Sequence, residues 1–178
     1  MHFATALLAV VLQAAPAMTD AEVRGRVEAL LGAIDRPVRA AQWKALGPSA
    51  LPVLAEVAAG DDRMPSMRSM ALGALASVDP GRAEPLARAL AEADGAPLTV
   101  RETAVRLLGR VLPPARLRAA LAPVLRAAPD AALRAVAAET LARHAPGMAC
   151  GEVMDQASLE TASDRAGFER AATLCAGR

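Results

Sequence analysis

One phrase recurs along the chain at a fixed interval. Arg68-Ser-Met-Ala71-Leu72-Gly-Ala-Leu75 returns as Arg101-Glu-Thr-Ala104-Val105-Arg-Leu-Leu108 and again as Arg134-Ala-Val-Ala137-Ala138-Glu-Thr-Leu141. The leading arginines stand 33 residues apart both times (101 − 68 and 134 − 101), and the frame Arg-x-x-Ala-x-x-x-Leu is kept. Met67, Val100 and Leu133 put an apolar residue before each arginine. On a helix, positions three, four and seven apart share a face. A period of this size marks units that bury their apolar side only by stacking on their neighbours.

The core such units can build is set by composition. Apolar residues make up 54% of the chain but aromatics only 2%, so Ala and Leu must fill it. Both are strong helix formers. No stretch alternates with period two, which excludes a sheet protein. The expected fold is all-α: an α-solenoid of antiparallel helix pairs closed by a C-terminal helical hairpin. The 20 basic and 19 acidic residues are interspersed, and all but one of the basic residues are Arg. With no basic stripe and few stacking aromatics, nucleic-acid binding is not expected.

Residues 1–17 read as a secretory signal peptide. Phe3 to Leu12 is an apolar run broken only by Thr5, and Ala15-Pro16-Ala17 places Ala15 and Ala17 where a signal peptidase reads small side chains. The run is shorter than the roughly 20 residues that span a bilayer, so no stable membrane anchor is expected after cleavage. The expected location is periplasmic or secreted. Residues 18–147 are then the solenoid and 148–178 the hairpin.

The elements follow in order. Thr19 to Glu22 has the form of a capping box ahead of Val23, Val27, Leu30, Leu31 and Ile34, with a stop at Asp35-Arg36-Pro37. Arg39 to Leu46 is a fainter copy of the repeated phrase. Pro52 suits the first turn of the next helix. Turns are predicted at Gly60-Asp61-Asp62, Asp79-Pro80-Gly81, Asp94-Gly95 and Pro113-Pro114. Thr99 to Glu102 has capping-box form, and Pro123 predicts a kink or break in the helix around it. The helices between the repeated phrases, beginning at Pro48, Gly81 and Pro114, vary most and are where function is expected.

These pairs resemble HEAT repeats, in particular the short bacterial type also found in phycobilisome-lyase subunits. The resemblance rests on Val-Arg-x-x-Ala-x-x-x-Leu-Gly in one helix and Ala-Leu-Pro-x-Leu opening its partner, as in Leu46 to Leu54 followed by Asp62 and Arg68. It covers residues 38–144. It implies an α-solenoid with a binding surface, and a turn Asp that pairs with the following Arg: Asp62 with Arg68 and Asp94 with Arg101. It implies no activity.

Cys150 and Cys175 are the only cysteines. Export places them in an oxidising compartment, where an even count suggests a disulfide. Helices over 152–161 and 164–176, capped by Ser163 and stopped by Gly177, would return Cys175 to the level of Cys150. A single helix would hold the sulfurs about 37 Å apart. The other reading is a pair of free buried thiols in a cytosolic protein.

Catalytic groups are scarce. His144 falls at a helix C-terminus, where the dipole favours an imidazolium. Met64, Met67 and Met70 have a spacing that could offer soft sulfur to copper, but Met67 aligns with core positions Val100 and Leu133. Arg68, Arg101 and Arg134 read as a structural ladder. No cofactor, metal or catalytic residue is expected. The function expected is a protein-interaction or scaffolding module whose partner is another protein. The competing reading is a cofactor-handling subunit related to lyase-type HEAT proteins.

Overall fold

The computed structural model describes residues 18–33 and 38–177. The expected signal peptide, its cleavage positions Ala15 and Ala17, and the helix stop at 35–37 lie outside the described residues. Within them every regular element is helical: α1 Asp20–Leu31, α2 Ala40–Lys44, α3 Ala50–Ala59, α4 Pro65–Val78, α5 Pro80–Glu92, α6 Leu98–Val111, α7 Pro114–Ala127, α8 Ala131–His144, α9 Pro146–Leu159, α10 Ala162–Arg165 and α11 Glu169–Ala176, with a 3-10 turn at Ala166–Phe168.

Helix starts are written by a few residue types. Thr19 closes a reciprocal capping box with Glu22, its hydroxyl accepting from the Glu22 amide while the Glu22 carboxylate accepts from the Thr19 amide. Pro65, Pro80, Pro114 and Pro146 each occupy the first turn, where a missing N–H costs nothing and φ is already set. The joints are correspondingly short. Asp79 alone separates α4 from α5 and its side chain accepts from the Arg82 amide; Ala145 alone separates α8 from α9.

Contacts arrange the helices in two rows. One row runs α2, α4, α6, α8, α11, each touching the next; the other runs α1, α3, α5, α7, α9. The rows are joined where α3 packs on α4, α5 on α6, α7 on α8 and α9 on both α8 and α11. The repeated frame accounts for this. Ala71, Ala104 and Ala137 are fully buried, and Leu75, Leu108 and Leu141 are at most 1% exposed. Val100 and Leu133 are sealed as well, whereas Met67 is only half-buried. Ala lets neighbouring backbones close up, and Leu fills the space between rows. Burial of one Leu is worth about 2 kcal/mol, so the three repeats hold one another far more firmly than any single pair could.

Three local expectations are corrected. Thr99 to Glu102 is not a cap: the helix already begins at Leu98 behind Pro97, the Thr99 carbonyl accepts from the Thr103 hydroxyl, and Glu102 turns to Arg106. Of the kink or break expected at Pro123, the break does not occur: α7 runs through it, and Pro85 likewise lies inside α5. The carbonyls each ring strips of a partner belong to Ala119 and Gly81, both on exposed residues where water can replace the bond. At the C-terminal end α9 begins at Pro146 rather than Glu152, so the expected border at 147/148 falls inside a helix, and Thr161, not Ser163, caps α10 by accepting from the Asp164 amide. Gly177 does close α11, its amide donating to the Thr173 carbonyl.

Candidate functional site

The arginine ladder binds the fold itself. Arg68 Nε donates to the Ala58 carbonyl at 3.2 Å and its Nη2 to Ala59 at 3.4 Å, at the end of α3. Arg101 Nε donates to Ala91 at 3.4 Å near the end of α5, while its two Nη atoms reach Asp94 at 3.1 Å and Asp130 at 3.0 Å. Arg134 donates to the carbonyls of Ala128 and Pro129 just past α7 and to both oxygens of Glu160. Each guanidinium therefore serves the unpaired carbonyls and negative pole at a preceding helix end. Asp94 pairs with Arg101 as the repeat pattern implies. Asp62 does not pair with Arg68: it folds toward Arg63 at 3.5 Å, and Arg68 spends its donors on carbonyls instead. With all three arginines engaged and Arg68 and Arg101 nearly sealed, the ladder has little left to offer a ligand.

Cys150 and Cys175 meet at disulfide distance, with S–S 2.06 Å and Cα atoms 5.5 Å apart. They join α9 to α11, the return that the hairpin expectation requires. Among the described residues no group of three or more His, Cys, Asp or Glu is placed to hold a metal ion. None of the described helices is long and apolar enough to cross a membrane.

The exposed face of the α2–α4–α6–α8 row carries the two openings of interest. Between the end of α1, α2 and the length of α4, and reaching Arg110 of α6, lies a depression of about 840 Å³, lined by Trp43, Met64, Met67, Met70, Gly73 and Arg110 among others. Met67 and Met70 lie one turn apart on α4 and Met64 is the residue before the helix; all three line the depression. Met64 is 64% and Met70 37% exposed, unlike the sealed residues of the frame. Between α6 and α8 lies a second cleft of about 380 Å³, lined by Thr103, Arg106, Arg110, Glu139, Arg143 and His144. Arg110 lines both. Arg106 pairs with Glu102 at 3.1 Å and Arg143 with Glu139 at 2.7 Å, each one helical turn apart on its own helix.

His144 is held in this cleft by a close approach of two helices. A Cβ on Gly109 would meet Thr140 Cγ2 at 2.5 Å and His144 Cδ2 at 2.9 Å, so only glycine lets α6 come this near α8. The helix C-terminus alone would favour the imidazolium. Partial burial first, then the Arg143 and Arg110 cations, instead hold His144 below its ordinary pKa of 6.5. It has Glu139 as a cleft neighbour, but that carboxylate is held by Arg143 and, at 3.5 Å, by Arg170; of the two lining hydroxyls, that of Thr103 donates to the Thr99 carbonyl.

Trp43, Arg106, Arg110 and Arg143 were not legible as a site in the sequence. The available signals were the single tryptophan and the arginines one helical turn apart at 106 and 110; only the packing of α2, α4, α6 and α8 brings them to one face. No family model matches the chain, and no curated protein or solved structure is significantly similar to it.

Proposed function

We propose that the chain is an exported HEAT-like α-solenoid that works as a protein-interaction module without catalytic chemistry of its own. The observation that carries this reading is the open, methionine-lined depression on the α2–α4–α6 row, where large apolar side chains remain exposed beside a well-sealed core. Exposed apolar surface of this kind marks an interaction site, and Met adapts its shape to many partners. The repeat reading is supported by the 33-residue frame and by the succession of contacts between alternate helices. Export is supported by the apolar N-terminal run and by a cysteine pair compatible with an oxidising compartment.

Site-specific photo-crosslinking in cells tests the function. A photoreactive residue at Met70 is expected to give a discrete protein adduct that is missing when the same residue stands at Arg126 on α7. Adducts common to both positions, or none at Met70 under any growth condition, would refute the module. Mass spectrometry of the envelope fraction tests export, with a chain starting near Met18 and no free thiol as the expected result.

A further inference from the structure

The two openings differ in chemistry and share a residue. The larger is apolar: Met64, Met67 and Met70 stand against Trp43, with Gly73 leaving room on α4. The smaller is cationic: Arg106, Arg110 and Arg143 face a single lining carboxylate, Glu139, for a net lining charge of +2 (3 − 1). Arg110 stands at the border of both. The two openings adjoin at Arg110, apolar on the α2–α4 side and basic on the α6–α8 side.

The arginines can be recruited. Arg106 and Arg143 have side chains 54% and 50% exposed, and their partners are neighbours on the same helix. Exposed ion pairs of that kind are weak, so an incoming carboxylate can share or replace Glu102 or Glu139 at little cost. Among the described residues Arg110 has no carboxylate within ion-pair distance. The apolar half is open to solvent at Met64 and Met70, which suits side chains laid across a surface better than an acyl chain that needs enclosure.

We infer that this face binds one peptide segment of a partner protein, with apolar side chains over Met64, Met67 and Met70 and Asp or Glu side chains over Arg106, Arg110 and Arg143. The inference rests on the interaction-module reading and specifies the partner's chemistry and polarity. Complementary charge at one end fixes the direction in which the segment lies and speeds encounter, while the methionines supply contact area.

Selection of a randomised displayed peptide library on the purified chain provides the test. Enriched sequences are expected to combine a cluster of apolar residues with Asp or Glu to one side. A dye-labelled synthetic copy of an enriched peptide then gives a Kd by fluorescence anisotropy. Arg110→Glu and Met70→Glu are each expected to weaken binding about tenfold, which is about 1.4 kcal/mol. Exchanging the peptide's acidic residues for Lys one at a time should give one exchange, at the residue lying over position 110, that restores binding to the Arg110→Glu chain, a rescue that misfolding could not produce; circular dichroism checks that each variant is helical. The inference is overturned by no enrichment, by enriched peptides lacking acidic residues, or by binding indifferent to Arg110→Glu. Met70-dependent sedimentation with anionic phospholipid vesicles, without peptide binding, would assign the face to lipid and also overturn it. A protein adduct from Met70 alongside peptide binding that ignores Arg110 leaves the interaction module standing and removes only the bipartite site.

Discussion

Arg134 and Glu160 form a bidentate ion pair, with Nε to Oε1 at 2.6 Å and Nη2 to Oε2 at 2.5 Å. The Glu160 side chain is 3% exposed and that of Arg134 16%. The carboxylate also accepts from Gln156 Nε2 at 2.8 Å. The pair ties the start of α8 to the residue that ends α9, so it holds the last helices onto the repeated ones.

Removing one member strands the other. Glu160→Gln leaves the Arg134 guanidinium without its counter-charge in a nearly closed site, a loss of about 3 kcal/mol. Chemical denaturation should show it as a lower midpoint with an unchanged slope. The bonds from Arg134 and burial act in opposite senses on Glu160, and the bonds prevail, holding its pKa below the ordinary 4.5. A depressed carboxylate contributes stability in full above its unfolded pKa, and that contribution drains away as pH falls through the lower folded value. Stability of the native chain should therefore decline below about pH 4.5, and the Glu160→Gln chain should lose less over the same range. Parallel pH profiles for the two would count against the pair.

Two glycines in the repeated helices should respond to alanine with opposite signs. At Gly109 the new methyl would overlap Thr140, which is buried and cannot move aside, as well as the more mobile His144 ring. Gly109→Ala is expected to cost about 1–3 kcal/mol. At Gly73, inside α4, a Cβ meets nothing within 4 Å. Gly73→Ala should stabilise by about 0.5–1 kcal/mol through the helix preference alone. Midpoints of urea unfolding compare them directly, and a stabilised Gly109→Ala chain would show that α6 and α8 are not held as close as the geometry implies.

Burial with a short period was readable in the sequence; pairings across repeats were not. Ala71, Ala104, Ala137 and their Leu partners announce themselves because the same frame of residues recurs in α4, α6 and α8 and is buried each time. The Thr19–Glu22 box is equally plain, because both partners lie within one helical turn. Asp130 was opaque. By position it should cap α8, yet its carboxylate goes to Arg101, 29 residues earlier in the chain, and no side chain caps that helix. Thr99 lost its capping role because Pro97 starts the helix ahead of it. Pro123 was expected to kink or break its helix, and a sequence does not say that the carbonyl it leaves without a partner will belong to an exposed residue, Ala119. The grooved face was hidden for a related reason: Trp43, Met70, Arg110 and Arg143 are spread over more than half the chain, and each alone reads as core filler or solvated surface.

His144 offers a check on the cleft that needs no ligand. Partial burial and the two neighbouring guanidiniums depress its pKa, so an NMR titration should place it below 6.5 in the folded chain. The unfolded chain then binds more protons than the folded one in the window from 6.5 down to the folded value. Stability should rise with pH across that window and level off above it. Arg143→Gln should move the titration upward by removing one of the cations, and Arg110→Gln should do the same from the α6 side. A His144 that titrates above 6.5 would show the helix dipole winning, and with it a cleft less positive than its lining implies.

The Cys150–Cys175 pair closes a loop of 25 residues in sequence separation and joins α9 to α11. On the loop-entropy account a bridge of that span stabilises by about 3 kcal/mol. Its effect should be greatest on the last helix, because among the helices of the described chain α11 packs chiefly on α8 and α9 and buries only Ala171 of its own residues. The double variant Cys150→Ser/Cys175→Ser should melt lower than the oxidised chain, and hydrogen exchange should show α11 opening before the repeated helices. Adding reductant to the native chain should reproduce both changes, and adding it to the double variant should change nothing. If reductant leaves the native melt and the exchange of α11 untouched, the two sulfurs are not bridged in the protein as isolated, and the compartment inferred from them loses its support.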